Sequence, residues 1–373
     1  MKKYRLILSA FAVLGLALFL QSCKNILDRD PVNQYSDPTV WSDANVAEAY
    51  LLNNYQNLKF GFTQVMVTAI SDETRFTHGG AESYNRGELS PASLLPFNGT
   101  YANGWKQYYD NIQRINVFLA NIDRVPEATA EAERPLVKAR TDAMKGEAYF
   151  IRAYCYTQLA RLYGGVVLLD QPSELGDDFL GKTRASFEET VKFIVDDCDA
   201  AAGLLASKAA TVMGRATKAT ALALKSRMLL FAASDLTADG TAANKYVGYE
   251  SPDRTALWTA AKNAAKAVMD LNENSLADFG APDQAAVAKG YFEFFKAKDL
   301  SDPEIIWGKM YSLAGGDINR TNQLNDGNGW HGYSDNSATQ QLVNVYQMED
   351  GSDFSDHFTK DGNNNYINIS SKY

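Results

Sequence analysis

Two stretches of this chain concentrate side chains that could hold a polyhydroxylated ligand. Residues 71–104 carry Phe76, Tyr84, Asn85, Arg86, Phe97 and Tyr101, and residues 311–337 carry Asn319, Arg320, Asn322, Gln323, Asn325, Trp330, His331 and Tyr333. Aromatic faces bury the C–H side of a sugar ring at low entropy cost, while planar amides and guanidinium groups pair its hydroxyls. Trp330 stands between Gly329 and His331 with no periodic helical neighbour, so its indole either faces a ligand or plugs its own loop. Tyr84, Arg86, Arg320, Asn325, Trp330 and Tyr333 are therefore the candidate ligand-binding residues. Trp105, Trp258 and Trp307 fall in periodic segments and are expected in the core, and Phe76, Phe97 and Tyr101 either meet the ligand or staple their loop to the helices.

Residue types suited to turnover are thinly spread. His78, His331 and His357 are far apart, and no His-Glu-x-x-His helix, Cys/His zinc spacing, Gly-x-Ser-x-Gly elbow or phosphate-cradling glycine loop occurs. Asp72, Glu73, Asp326 and Asp335 could supply a pair of loop carboxylates, but among 45 acids such pairs arise by chance. Asp361-x-Asn363-x-Asn365 resembles the start of a calcium loop. Tyr366 occupies the place of the required turn glycine and no closing Glu follows, so a flexible tail is expected there. No catalytic residue, metal or cofactor is assigned.

One modification site is explicit. Lys2, Lys3 and Arg5 precede an apolar run from Leu6 to Leu20, then Gln21-Ser22-Cys23. That order is a secretory signal, and its apolar part is shorter than the roughly 20 residues a spanning helix needs. Leu20-Gln21-Ser22-Cys23 resembles a bacterial lipobox, which would make residues 1–22 a lipoprotein signal peptide and Cys23 the acylated residue. The chain would then be held at a membrane surface outside the cytoplasm. Its net charge of −9 becomes more acidic once the basic head is lost, which excludes nucleic acid as a partner and disfavours electrostatic adhesion to an anionic bilayer. Cys155 and Cys198 sit within apolar helical patterns and read as buried hydrophobes, not as a disulfide.

The elements that would position these loops are mostly helices. Residues 23–43 read as an extended tether, with Pro31 and Pro38. Helices are expected over 46–58, 105–123, 136–163, 217–233, 256–271 and 338–348, with one opened by the capping box Ser186-x-x-Glu189. Gly164-Gly165 should stop the third of these. Glu304–Met310 reads as a strand, and the aromatics Tyr149, Phe150, Tyr154, Tyr156 and Tyr163 as inter-helix packing. Small residues at crossings between bulky aromatics predict a mainly α fold: a tetratricopeptide-like stack of helical hairpins with long irregular loops and a few short strands.

The chain as a whole resembles the SusD/RagB family of outer-membrane nutrient-binding lipoproteins. The resemblance rests on stretches in family order: Cys23 to Asp28 with Pro31, Ser71-Asp72-Glu73, Trp105 with Tyr108 and Ile112, and Arg152-Ala153-Tyr154 with Gly164-Gly165. Arg184-Ala185-Ser186, Gly214 to Arg227, Trp258 with Ala264-Ala265-Lys266-Ala267, Glu304 to Trp307, and Tyr346 to Gly351 complete it. The resemblance implies glycan binding at the outer leaflet of the outer membrane and delivery to a TonB-dependent (SusC-like) transporter barrel. It divides the chain into a tether over 23–43, an N-terminal helical region over 44–240 and a RagB/SusD-type region over 241–373. The family continues past the Met348–Gly351 motif, so a C-terminal portion is expected to be missing. A helical-repeat adaptor for protein partners and a lipid-anchored glycoside hydrolase are the competing readings.

Overall fold

The computed structural model describes residues 37–58, 66–78, 88, 104–174, 176–278, 284–296, 302–310, 325, 327, 329, 332–348, 350–353, 356–363 and 366–367. A short helical turn, α1 (Asp37–Val40), leads into α2 (Ala44–Tyr55), whose first turn is capped by the Asp43 carboxylate accepting from Asn45 N–H at 2.7 Å. The expected tether thus ends in ordered structure. Trp41 is buried and packs against Tyr50 and Phe118, which anchors the chain where the helices begin.

The body is a run of helices in which each packs on its successors. They are α3 (Gly104–Asn121), α4 (Arg124–Ala128), α5 (Arg134–Tyr163), α6 (Phe187–Leu204), α7 (Lys218–Ala233), α8 (Asp235–Ala238) and α9 (Arg254–Met269). The α3–α5, α5–α6, α6–α7 and α7–α9 pairs form the successive layers, and α2 closes over α5. This is the mainly helical, tetratricopeptide-like hairpin stack that the sequence predicts.

Helix α5 is central and 30 residues long. Because it has neighbours on several sides, its second half is buried nearly all round: Phe150, Ile151, Cys155, Tyr156 and Leu159 have essentially no exposure. The aromatic cluster therefore packs as expected, with the Tyr156 hydroxyl accepting from Leu169 N–H at 2.7 Å. Gly164 ends α5 at φ 73, and Gly165 N–H donates to Tyr246 C=O at 2.6 Å. A Cβ at Gly165 would fall 2.2 Å from Ala185 O, so the stop is also a close crossing of backbones. Ser186 and Glu189 form the predicted capping box of α6, and Thr217 and Thr220 form a second one at the start of α7. Cys155 and Cys198 are free and buried, and burial pushes the Cys155 thiol up to about 12, which leaves it inert as a nucleophile.

A buried ion pair and a part-buried ion-pair cluster tie the layers together. Arg152 meets Asp197 through two hydrogen bonds of 2.8 Å and reaches Asn116 Oδ1 at 2.8 Å, joining α3, α5 and α6. Arg215 spans Glu147 on α5 and Glu48 on α2, and Tyr55 donates to Glu147 at 2.6 Å.

Several expectations need correction. Glu304–Met310 forms a turn and irregular chain, not a strand. Its carbonyls are taken by side chains, Ile305 C=O accepting from Lys208 Nζ and Asn274 Nδ2, and Trp307 Nε1 donates to Gly214 C=O at 2.9 Å. Trp307 is part-buried against Phe150 and Tyr55, but Trp105 and Trp258 are about two-fifths exposed. Helix α9 packs through Ala261 and Ala264, whose small side chains permit close approach and leave the Trp258 indole outside. Trp105 sits in the first turn of α3, its ring tilted against Tyr109 and edge-on to Tyr163. A helix not anticipated, α10 (Gln284–Lys296), follows α9. The helix expected over 338–348 shrinks to α11 (Gln340–Asn344), since Ala338 belongs to a strand. The expected flexible tail contains a hairpin of β3 (Thr359–Lys360) and β4 (Tyr366–Ile367), whose turn uses Asp361 to accept from Asn363 N–H.

Candidate functional site

The two ligand-suited loops are far apart in sequence, and the fold joins their roots. Strand β1 (Thr74–Phe76) pairs antiparallel with β2 (Asn336–Ala338) in the register Thr74↔Ala338, Arg75↔Ser337 and Phe76↔Asn336. The ladder extends at both ends, with Thr77 N–H donating to Asp335 C=O at 2.8 Å and Thr339 N–H to Glu73 C=O at 2.9 Å. Side chains reinforce it. Thr77 Oγ1 donates to Ser334 C=O at 2.7 Å, and Thr339 Oγ1 reaches Asp72 C=O. Phe76 is buried, as expected of a staple, with its ring edge-on to His78.

A two-stranded ribbon this short has little stability of its own, so these side-chain bonds and the buried Phe76 are what hold the register. His78 Nε2 lies 3.0 Å from both Tyr333 C=O and the Asp335 Oδ1 carboxylate oxygen. Asp335 is fully buried, and its other oxygen, Oδ2, has no hydrogen-bond partner among the described residues. The joint is thus latched by a histidine from the first loop across a buried acid in the second. Ser334 adopts φ 50, a left-handed conformation uncommon outside glycine, between the exposed Tyr333 and the buried Asp335.

Of the candidate ligand-binding residues, two lie at this joint. Tyr333 is half exposed, so its ring is available for stacking. Asn325 Oδ1 accepts from Asn336 Nδ2 at 2.6 Å, and Asn336 Oδ1 accepts from Met66 N–H at 3.3 Å, which gathers three segments at one place. Tyr84, Arg86, Arg320, Trp330 and the lipobox Cys23 lie outside the described residues. Sequence reasoning named His78 and Asp335 separately but not as partners. It missed Thr77, Thr339 and Asn336, which are ordinary loop residues until the strand pairing is known.

The joint offers exposed aromatic area and amide groups, which is the chemistry of hydroxyl recognition. Among the described residues no group of three or more His, Cys, Asp or Glu could hold a metal ion. No described helix is long and apolar enough to cross a membrane.

Comparison with known proteins gives one consistent result. Residues 27–230 match the SusD-like family profile described as "Starch-binding associating with outer membrane". A SusD-like protein of Formosa agariphila is 24% identical over 202 residues, covering 54% of this chain and 38% of that protein. A SusD-like protein of Bacteroides ovatus is 21% identical over 215 residues, covering 57% and 37%. Among solved structures, a SusD-like protein from Bacteroides fragilis superposes with a TM-score of 0.63 at 22% identity, over 87% of this chain and 57% of that one. The chain therefore spans well under half the length of these curated relatives, and the likeness to solved structures shows a common fold.

Proposed function

This chain belongs to the SusD-like family of starch-binding, outer-membrane-associated proteins, and on that premise we propose that it captures oligosaccharide at the cell surface and hands it to a TonB-dependent transporter. Capture is binding without turnover. The observation that carries the reading is the β1–β2 pairing, which brings the roots of both aromatic- and amide-rich loops to one face. In this reading Tyr333, Tyr84 and Trp330 stack on sugar rings, while Asn325, Arg86 and Arg320 pair hydroxyls. Residues 44–240 form the helical scaffold, residues 241–373 bring the second loop to it, and acylated Cys23 holds the protein at the outer membrane.

Isothermal titration of the full chain against a panel of oligosaccharides tests capture. Heat with at least one glycan, lost in Tyr333→Ala, supports the proposal. Retention of a transporter barrel during detergent purification, with no heat from any glycan, would make the protein an adaptor instead.

A further inference from the structure

Helix α10 is amphipathic, yet among the described residues no helix or strand packs along it. Its last two turns expose a continuous aromatic surface. Phe292 and Phe295 are 59% and 67% exposed. Tyr291 is exposed beside them, its ring 4.8 Å from that of Phe295, and Phe294 meets Phe295 edge-on at 5.0 Å. Single exposed apolar side chains are ordinary, whereas a joined group of them marks a contact surface.

The charges of α10 are set against that surface. Lys289, Glu293 and Lys296 recur at steps of four and three residues, which places them along one side of the helix. Lys296 Nζ lies 4.7 Å from the centre of the Phe292 ring and 3.2 Å from Glu293 Oε1, so this cation sits at the border between the aromatic and polar sides. Lys289 has no hydrogen-bond or ion-pair partner among the described residues. Two lysines against one glutamate make this stretch locally cationic in a chain whose net charge is −9.

These features select among occupants. A helix of 13 residues is about 20 Å long, which is too little surface for a stable contact between two copies through this helix alone. A sugar site needs free amides or carboxylates beside the rings, and here the one carboxylate, Glu293, is engaged by Lys296. A lipid surface matches both sides at once. Aromatic rings partition into the headgroup boundary, and lysine stems reach past them to place ammonium groups on phosphate. Thirteen residues are too few to span a bilayer, so the helix would lie in its plane.

We propose that α10 lies in the headgroup region of the outer membrane, with Phe292 and Phe295 inward and Lys289 and Lys296 on lipid phosphates, as a contact separate from acylation at Cys23. The inference rests on the outer-membrane placement in the proposed function and not on glycan capture.

Co-sedimentation of the mature chain with lipid vesicles tests this, using residues 23–373 with Cys23→Ser so that no acyl chain is present. Vesicles of phosphatidylethanolamine with phosphatidylglycerol should carry the protein down. Vesicles of phosphatidylcholine alone should carry much less, and added salt should reduce the difference. Phe292→Ser combined with Phe295→Ser should abolish binding to both, while the urea midpoint stays put because both positions are exposed. Lys289→Gln and Lys296→Gln should each weaken binding to the anionic vesicles roughly fivefold and leave the phosphatidylcholine signal unchanged. No sedimentation with either vesicle, or wild-type sedimentation of the double phenylalanine variant, would overturn the proposal. A dimer seen by light scattering, lost in that variant and accompanied by no vesicle binding, would assign the surface to a second copy instead. Glycan heat is measured on the same lipid-free protein, so capture and membrane contact can fail independently.

Discussion

The helical stack and the β1–β2 joint treat the same kind of residue in opposite ways. In the stack, the buried Asp197 has both oxygens engaged by Arg152, which in turn is held by Asn116. In the joint, the buried Asp335 has one oxygen on His78, and the other has no hydrogen-bond partner among the described residues. Aromatics divide similarly: Tyr156 is enclosed, with its hydroxyl bonded to Leu169 N–H, whereas Tyr333 stands half exposed beside the left-handed Ser334. A polar group whose bonding capacity is used internally specifies a fold. An exposed ring such as that of Tyr333 remains available to a ligand. The molecule separates these tasks between a scaffold and the loops that it supports.

Substitutions on the two sides should therefore differ in what they damage. The largest effect is expected from Arg152→Ala, which strands the buried Asp197 charge and should lower unfolding free energy by about 3–5 kcal/mol in urea titrations. A loss below about 1 kcal/mol would remove the distinction, since the stack's ion pair would then behave like a surface pair. Trp330→Ala should weaken oligosaccharide binding by roughly 1–3 kcal/mol in calorimetry while the urea midpoint stays put. Unchanged affinity would take that indole out of the site. Ser186→Ala removes the α6 cap and should cost about 1 kcal/mol of stability with no change in glycan affinity. His78→Ala should be the mildest for global stability, within about 1 kcal/mol, because the short ribbon can open locally and hydrate Asp335 without unfolding the stack. Faster hydrogen exchange at Thr77 and Thr339, the amides that close the ladder, is the signature that checks the latch.

The scaffold was largely legible in the sequence because its signals are local. The Ser186/Glu189 box, the Gly164 stop and the three- and four-residue spacing of Trp105, Tyr109 and Ile112 each specify structure within a turn or two. Burial was less legible where it depends on the neighbour. Trp258 sits on a periodic helix, yet its partner meets the Ala261–Ala264 side, so the indole faces out. Glu304–Met310 has the apolar residues of a strand, but its carbonyls find Lys208 and Asn274 before any second strand. The joint was the least legible part. Composition picked out both loops, but Thr74↔Ala338 is a pairing across more than 260 residues, and nothing in either segment alone encodes the other.

In the proposed function these two loops act as one binding face. A double-mutant cycle across the joint, Tyr84→Ala with Trp330→Ala, measured by calorimetry with a single oligosaccharide, tests it most directly. Each substitution should weaken binding of that same ligand, and the double variant should lose most of the measurable affinity. Wild-type affinity in either single variant, with the ligand still bound through the other loop alone, would contradict it.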